Sequence, residues 1–441
     1  MDFGLSGYLG VTLYAAAIVA LLLTVFWRPW VGFYFLLPLI LLQSLRYRLN
    51  TFPLGKSVIG IMLVGIALGL LRQKQKILVG SPFKFLVGTY VVYTFASLWM
   101  GSAISGYALP LPGDSRFGVW QDYILMPVLL FLTTALDLDL KKMRIAIFLM
   151  CVSTLALDRS YWDIVSGRDY TNYTEDLRNS ADQNAMGYAG SNGMAAFEAQ
   201  CSTFLLALAA FERRRLIKLG YWGLAIFSAS CLAFSLSRGG YLAILAGWLF
   251  IGFMKNRVLL VFLVAFLFTW TWWVPKAVNE RVSMTYDQQD NQLDSSSQTR
   301  ISIWEDALQL FNESPIIGMG FNTYQCLHRI RGYEDTHNLY VKILVETGIV
   351  GLLLFVAMLW RFVTIGFRLF RSNDPFFASL GLGLAGWIVA ALVANVVGDR
   401  WMYMQVCGYM WIIAGFVAKA WILERQHERA LEPALGVVQP A

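Results

Sequence analysis

The chain has 441 residues, of which 57% are hydrophobic and only 14% charged, with 16 Trp and 30 Phe. A soluble protein carries roughly 25% charged residues, so the composition excludes a soluble enzyme and reads as a polytopic integral membrane protein, all-α because helices satisfy their own backbone groups in lipid. The net charge of +7 does not point to nucleic acid, since Lys and Arg fall in short clusters between apolar runs, as the positive-inside rule expects.

Apolar runs lie near 9–27, 30–45, 57–71, 84–104, 119–136, 143–157, 193–211, 219–236, 240–254, 257–275, 339–360, 376–397 and 401–423. With about 20 residues per span, they predict about 12 transmembrane helices in one membrane domain. The run 9–27 has no basic region before it and no small-residue cleavage site after it, so it reads as a retained span. The basic clusters are Arg72/Lys74/Lys76, Lys141/Lys142/Arg144, Arg213–Arg215/Lys218, Lys255/Arg257, Arg361/Arg368/Arg371 and Arg425/Arg429. Neighbouring clusters are separated by two spans, which puts them all on one side. That side is assigned to the cytoplasm, together with a tail at 424–441. Strict alternation then leaves the N-terminus outside, unless one early run does not cross.

The outer loops become 105–118, 158–192, the turn Ser237–Gly240, 276–338 and the junction Gly398–Arg400. The largest, 276–338, opens with the acidic, serine-rich TYDQQDNQLDSSSQT, expected to be exposed. A helix is predicted over 300–311, capped by Ser297 or Thr299, with Ile301, Trp304, Leu308 and Phe311 as its apolar face. Pro315 and Gly318–Gly320 end it. The stretch 299–351 is polar, carries His328 and His337, and runs directly into the span at Leu339. A polar segment between spans must sit at the interface or outside, where a membrane enzyme meets polar substrates. Cys151, Cys201, Cys231, Cys326 and Cys407 are scattered and show no metal-binding spacing.

The chemistry-bearing candidates converge on this outer side. Arg238 sits in Ser-Leu-Ser-Arg-Gly-Gly, where Gly239 and Gly240 would let a ligand approach the backbone. A snorkelling arginine is the bland alternative. Arg300 opens the predicted helix, and alone it reads equally as a solvated residue. His337, in Asp-Thr-His-Asn, could be an interfacial histidine bonded to a carbonyl. Asp399 and Arg400 could pair with each other. As a set, arginine forks match phosphate oxygens, and a histidine can take a proton from a hydroxyl near neutral pH. No metal site and no cofactor is called for.

At these residues the chain resembles the O-antigen ligase superfamily, which includes O-antigen ligases, O-antigen polymerases and protein O-oligosaccharyltransferases. The likeness rests on Ser237-Arg238-Gly239, Arg300-x-x-x-Trp304, Pro-Ile-Ile-Gly-Met-Gly-Phe-Asn at 315–322, and His337-Asn338 followed by Glu346-Thr347-Gly348 and Gly351. Ser191-Asn192-Gly193-Met194-Ala195 resembles the start of the family's common region. The resemblance covers about 180–400. It implies a GT-C-like helical fold in the bacterial inner membrane with a periplasmic active site. It also implies inverting, metal-independent transfer of a glycan from undecaprenyl diphosphate to a lipid A-core sugar or another acceptor. Arg238 and Arg300 would be catalytic and hold the diphosphate, with Asn338, Asp399 and Arg400 completing the substrate site, and His337 would be the general base. Membrane lipids are the remaining partner. The charges Arg329, Arg331, Glu334 and Asp335 depart from the family pattern. The alternatives are a glycan polymerase or protein O-oligosaccharyltransferase and, from a different class, a small-anion transporter. A transporter should place its charges at the bilayer midplane, whereas these cluster at span ends.

Overall fold

The computed structural model describes residues 6–181, 190–284, 286–287, 292–293, 295–329 and 335–431. Apart from a two-residue antiparallel pairing of Tyr286–Asp287 with Gln292–Leu293, its regular structure is helical. In chain order the helices are α1 (Ser6–Phe26), α2 (Pro29–Leu41), α3 (Gln43–Leu49), α4 (Val58–Arg72), α5 (Lys84–Ser105), α6 (Ser115–Ala135), α7 (Leu140–Val165), α8 (Glu175–Ala181), α9 (Gly190–Phe211), α10 (Arg215–Phe234), α11 (Arg238–Met254), α12 (Arg257–Trp273), α13 (Lys276–Ser283), α14 (Ser295–Phe311), α15 (Thr323–Leu327), α16 (Leu339–Phe370), α17 (Pro375–Ala394) and α18 (Met404–Leu431).

Among the described residues, nine helices are long and apolar enough to cross a membrane, or up to eleven if each of two bent pairs is one span. The sequence led to an expectation of about 12, and the shortfall has local causes. The run 30–45 breaks at Leu42, where α2 and α3 meet at 107°. Pro38 stands inside α2, and the Leu42 amide closes its last turn on the Pro38 carbonyl at 2.8 Å. The run 257–275 turns by 109° into α13, because Val274 precedes Pro275 and is forced into the extended region (φ −98°, ψ 151°). Two expected boundaries also move. Asp158, expected to open an outer loop, lies inside α7, which continues to Val165 with Leu157, Tyr161 and Val165 buried. The expected tail at 424–441 begins as the end of α18, and 432–441 lie outside the described residues.

The centre of the bundle is formed by α9, α17 and α18, which are buried nearly all round. Small residues allow this. A Cβ on Gly247 of α11 would stand 2.2 Å from Thr203 Oγ1, and one on Gly386 of α17 would stand 2.8 Å from Thr203 Cγ2. Backbones therefore approach around α9 as small residues permit in membranes. The rim is the reverse: Val261, Phe262, Phe268 and Trp272 of α12 are exposed, as a lipid-facing helix requires.

Three of the basic clusters meet at one end of α9, α11 and α17. Arg144 lies 4.0 Å from Glu212 and over the Phe376 ring, and Lys255 lies over the Phe211 ring. Arg72 donates to the Phe26 carbonyl where α1 ends. The opposite end carries the site.

Candidate functional site

The first part of the site is the start of α11. Leu236 turns the chain at φ 54°, and Ser237 then caps the helix, its hydroxyl accepting from the Gly240 amide at 3.4 Å and donating to Asn192 Oδ1 of α9 at 2.8 Å. Arg238 is the first helical residue. The two glycines that follow, expected to admit a ligand, line the cleft described below and are also needed for packing. A Cβ on Gly239 would come 2.3 Å from Val397 Cγ2, and one on Gly240 would come 2.6 Å from Ala195 Cβ. They seat α11 against α9 and the end of α17.

The second part is α14. It starts at Ser295, upstream of the expected 300, and only half of the expected face, Trp304 and Phe311, packs inward. Ile303, Ala307 and Leu310 are buried against Met319, Tyr324 and Val345, while Ile301 and Leu308 are 39% and 43% exposed. The acidic, serine-rich lead-in falls largely outside the described residues. Trp304 donates its indole N–H to the Thr336 carbonyl at 2.9 Å, tying α14 to the loop that carries His337. Arg300 stands one turn before that tether.

The third part is a break in α16. Gly348 has φ 66° and ψ −172° within the helix. The freed backbone groups are taken up by 315–320. Met319 N donates to Val345 O at 2.9 Å, Gly320 N to Glu346 O at 2.8 Å, and Ile349 N to Pro315 O at 2.9 Å. α5 adds Ser97 Oγ to Glu346 O at 3.2 Å and Tyr93 Oη to Thr347 O at 2.8 Å. The Asn322 amide donates to the buried Glu346 carboxylate at 2.9 Å. The Pro-Ile-Ile-Gly-Met-Gly and Glu-Thr-Gly stretches, about thirty residues apart in sequence, are thus two halves of one seam.

His337 ends the loop that follows, in the left-handed region at φ 50°. Strain of this kind in a non-glycine residue is concentrated at functional sites. Asp335 Oδ1 accepts from the His337 backbone N–H at 3.2 Å, and Oδ2 lies 3.7 Å from Nδ1. Burial, opposed by Asp335, and the positive charges of Arg400 and Arg300 hold the His337 pKa below its ordinary value. Asn338, expected among the substrate ligands, is the N-cap of α16, its side chain accepting from Tyr340 N and Val341 N. Asp399 is buried and receives a 2.6 Å bond from Lys342 Nζ, so it pairs with Lys342 instead of Arg400. Of the charges without an expected place, Arg329 pairs with Asp306 at 2.9 Å, and Arg331 and Glu334 lie outside the described residues.

These parts surround a cleft of about 210 Å³. Arg238, Arg300 and Arg400 all line it, together with Asn192 and Ser237. Asn338, Asp399 and His337 are not in its lining, although His337 stands within electrostatic reach of Arg300 and Arg400. Two further arginines line the cleft, Arg178 of α8 and Arg281 of α13. The sequence offered a signal for both, as basic residues on the side that the positive-inside bias leaves poor in them. Lys342 could also have been singled out, as a charge within an apolar run. Five guanidiniums around one cleft suit a polyanion. Among the described residues, no three His, Cys, Asp or Glu side chains are grouped as metal ligands.

A family model described as O-antigen ligase matches residues 223–356. The matched stretch includes Arg238, Arg281, Arg300, the 315–320 seam, His337 and Gly348, and excludes Arg178 and Arg400. No curated protein matches the chain.

Proposed function

We propose that this chain, a membrane protein that belongs to the O-antigen ligase superfamily through residues 223–356, transfers a glycan from undecaprenyl diphosphate to an acceptor hydroxyl on the periplasmic face of the inner membrane. The observation that carries this reading is the convergence of Arg238, Arg300 and Arg400, from three separate elements, on one cleft beside His337.

In the proposed reaction the acceptor oxygen attacks the anomeric carbon from the face opposite the diphosphate. The carbon–oxygen bond to phosphate breaks, and the anomeric centre inverts. His337 takes the acceptor proton. With Nδ1 towards Asp335, the atom assigned to receive it is Nε2. The electron pair leaves with the diphosphate, and Arg238, Arg300 and Arg400 stabilise the charge that develops there. Preorganised donors of this kind are worth several kcal/mol, about 3–4 for a single one. The guanidiniums fill the part that a divalent cation has in other diphosphate-leaving reactions. A lipid A-core sugar is the acceptor in the ligase reading. A growing glycan or a protein hydroxyl is the acceptor in the polymerase and O-oligosaccharyltransferase readings.

The broken α16 is the feature that would favour transport, since broken spans hold ions through freed carbonyls. Here the carbonyls of Val345, Glu346 and Thr347 all accept hydrogen bonds from the protein, which favours transfer. The test is purified protein in nanodiscs with a lipid-linked donor and candidate acceptors. Glycan transfer with release of polyprenyl diphosphate is the expected result, and donor that stays intact with every acceptor class would end the reading.

A further inference from the structure

We propose that Arg178 and Arg281 form a second anion subsite that binds a carboxylate or phosphate substituent on the sugar chain, so that the donor is an acidic glycan. The inference rests on the transfer reading above and adds the substrate class to it.

The two arginines are delivered differently from the other three. Arg238 and Arg300 belong to elements tied to the spans, and Arg400 to the junction between α17 and α18. Arg178 and Arg281 come from two outer segments that clasp each other. The Ala277 amide donates to the Tyr170 carbonyl at 3.1 Å, the Tyr173 amide to the Glu280 carboxylate at 2.7 Å, and Lys276 Nζ to Asn172 at 3.3 Å. The clasp lays the Arg281 guanidinium over the Tyr173 ring, 4.8 Å from its centroid. Stacking holds the plane of the guanidinium.

A diphosphate diester carries about two negative charges, and paired guanidiniums can take its oxygens two at a time. Arg238, Arg300 and Arg400 suffice for that. No carboxylate lines the cleft among the described residues. Arg178 forms no ion pair among them, and its buried Nε has no hydrogen-bond partner there. A buried donor in that condition calls for an acceptor brought by a ligand. An acidic group on the glycan, several bonds from the anomeric carbon, supplies one without competing for the diphosphate.

The test uses the full chain in nanodiscs and two lipid-linked donors that differ only in carrying a uronic acid or the matching neutral sugar. The parent chain is expected to prefer the acidic donor through KM. Arg178→Gln and Arg281→Gln should each lower kcat/KM on the acidic donor by about tenfold or more, the scale of one charge-assisted hydrogen bond, and leave the neutral donor nearly unchanged. Equal loss on both donors would assign the pair to the diphosphate and overturn the inference, as would no loss on either or a parent preference for the neutral donor. Arg178 is only partly buried, so its variant stands as the test even where Arg281→Gln fails to fold. His337→Ala is run alongside: if it transfers both donors normally, it is the reaction assignment that fails and not the subsite.

Discussion

Asp335 meets His337 at two points, accepting the backbone N–H at 3.2 Å through one carboxylate oxygen and lying 3.7 Å from Nδ1 through the other. A single side chain therefore bears on both the strained backbone at φ 50° and the charge of the ring. The neutral imidazole is the active base, so transfer should rise with pH through the His337 pKa, which burial and the neighbouring arginines place below its ordinary value. Asp335 opposes them by favouring the charged ring. Asp335→Asn should therefore move the acid limb of the pH–rate profile to still lower pH while lowering the plateau rate, because the imidazolium formed during transfer loses its partner. An unmoved acid limb would reduce Asp335 to a loop residue.

Removing the base should separate chemistry from binding. His337→Ala is expected to lose about 10²–10⁴-fold in transfer rate with donor affinity little changed, since the arginines hold the donor. Binding of the lipid-linked donor and single-turnover transfer, measured separately, distinguish this from a structural histidine, whose loss would lower both.

Arg300 tests the geometry of the anion contact. Arg300→Lys keeps the charge and loses the planar fork, so transfer should fall by about tenfold or more at normal expression. Wild-type rates in the lysine variant would remove Arg300 from the phosphate site.

The pair Lys342–Asp399 is a stability prediction. Both side chains are buried and 2.6 Å apart, so Lys342→Met leaves a buried carboxylate without its partner. The cost of breaking such a pair is about 3–5 kcal/mol. The double variant Lys342→Met/Asp399→Leu should recover much of the lost thermal stability in detergent. Similar melting of the single and double variants would show that the two charges are not coupled.

Gly348→Ala should fail at the seam. The position requires φ 66°, and a Cβ there would stand 2.2 Å from the Ile316 carbonyl oxygen. Left-handed strain alone costs about 1–3 kcal/mol. The expected readout is a lower melting temperature and poor yield; a variant with normal stability would mean that the break is optional.

The membrane character and most spans were legible because apolar composition and run length act locally. The positions of Arg238 and Arg400 followed from the same reading, since each sits where an apolar run begins or ends, whereas Arg300, expected to open its helix, lies inside α14. What escaped it was pairing at a distance. Lys342 and Asp399 are 57 positions apart, and nothing local says that Asp399 prefers Lys342 to the adjacent Arg400. Gly239 and Gly240 do line the cleft, but their packing role was hidden because their neighbours, Val397 and Ala195, lie far away in the chain. The face of α14 was misjudged at Ile301 and Leu308, though not at Trp304 and Phe311, for a related reason. Two stripes of that helix are apolar, and only the docked positions of Met319, Tyr324 and Val345 decide that Ile303, Ala307 and Leu310 are the buried one. Arg178 and Arg281 reach the cleft through a clasp between loops about a hundred residues apart.

The seam at Gly348 also sets the order in which the protein can be made. Ser97 and Tyr93 bond to carbonyls 249 and 254 positions later in the chain, and 315–320 bonds to the same short run. During synthesis α5 enters the membrane long before its partners exist, and its hydroxyls must wait. The segment 315–320 likewise has nothing to dock on until residues 345–350 have emerged. The arginine cleft is likewise completed late, since Arg400 follows α17, and a chain that stalls before α16 lacks three of its spans together with that arginine.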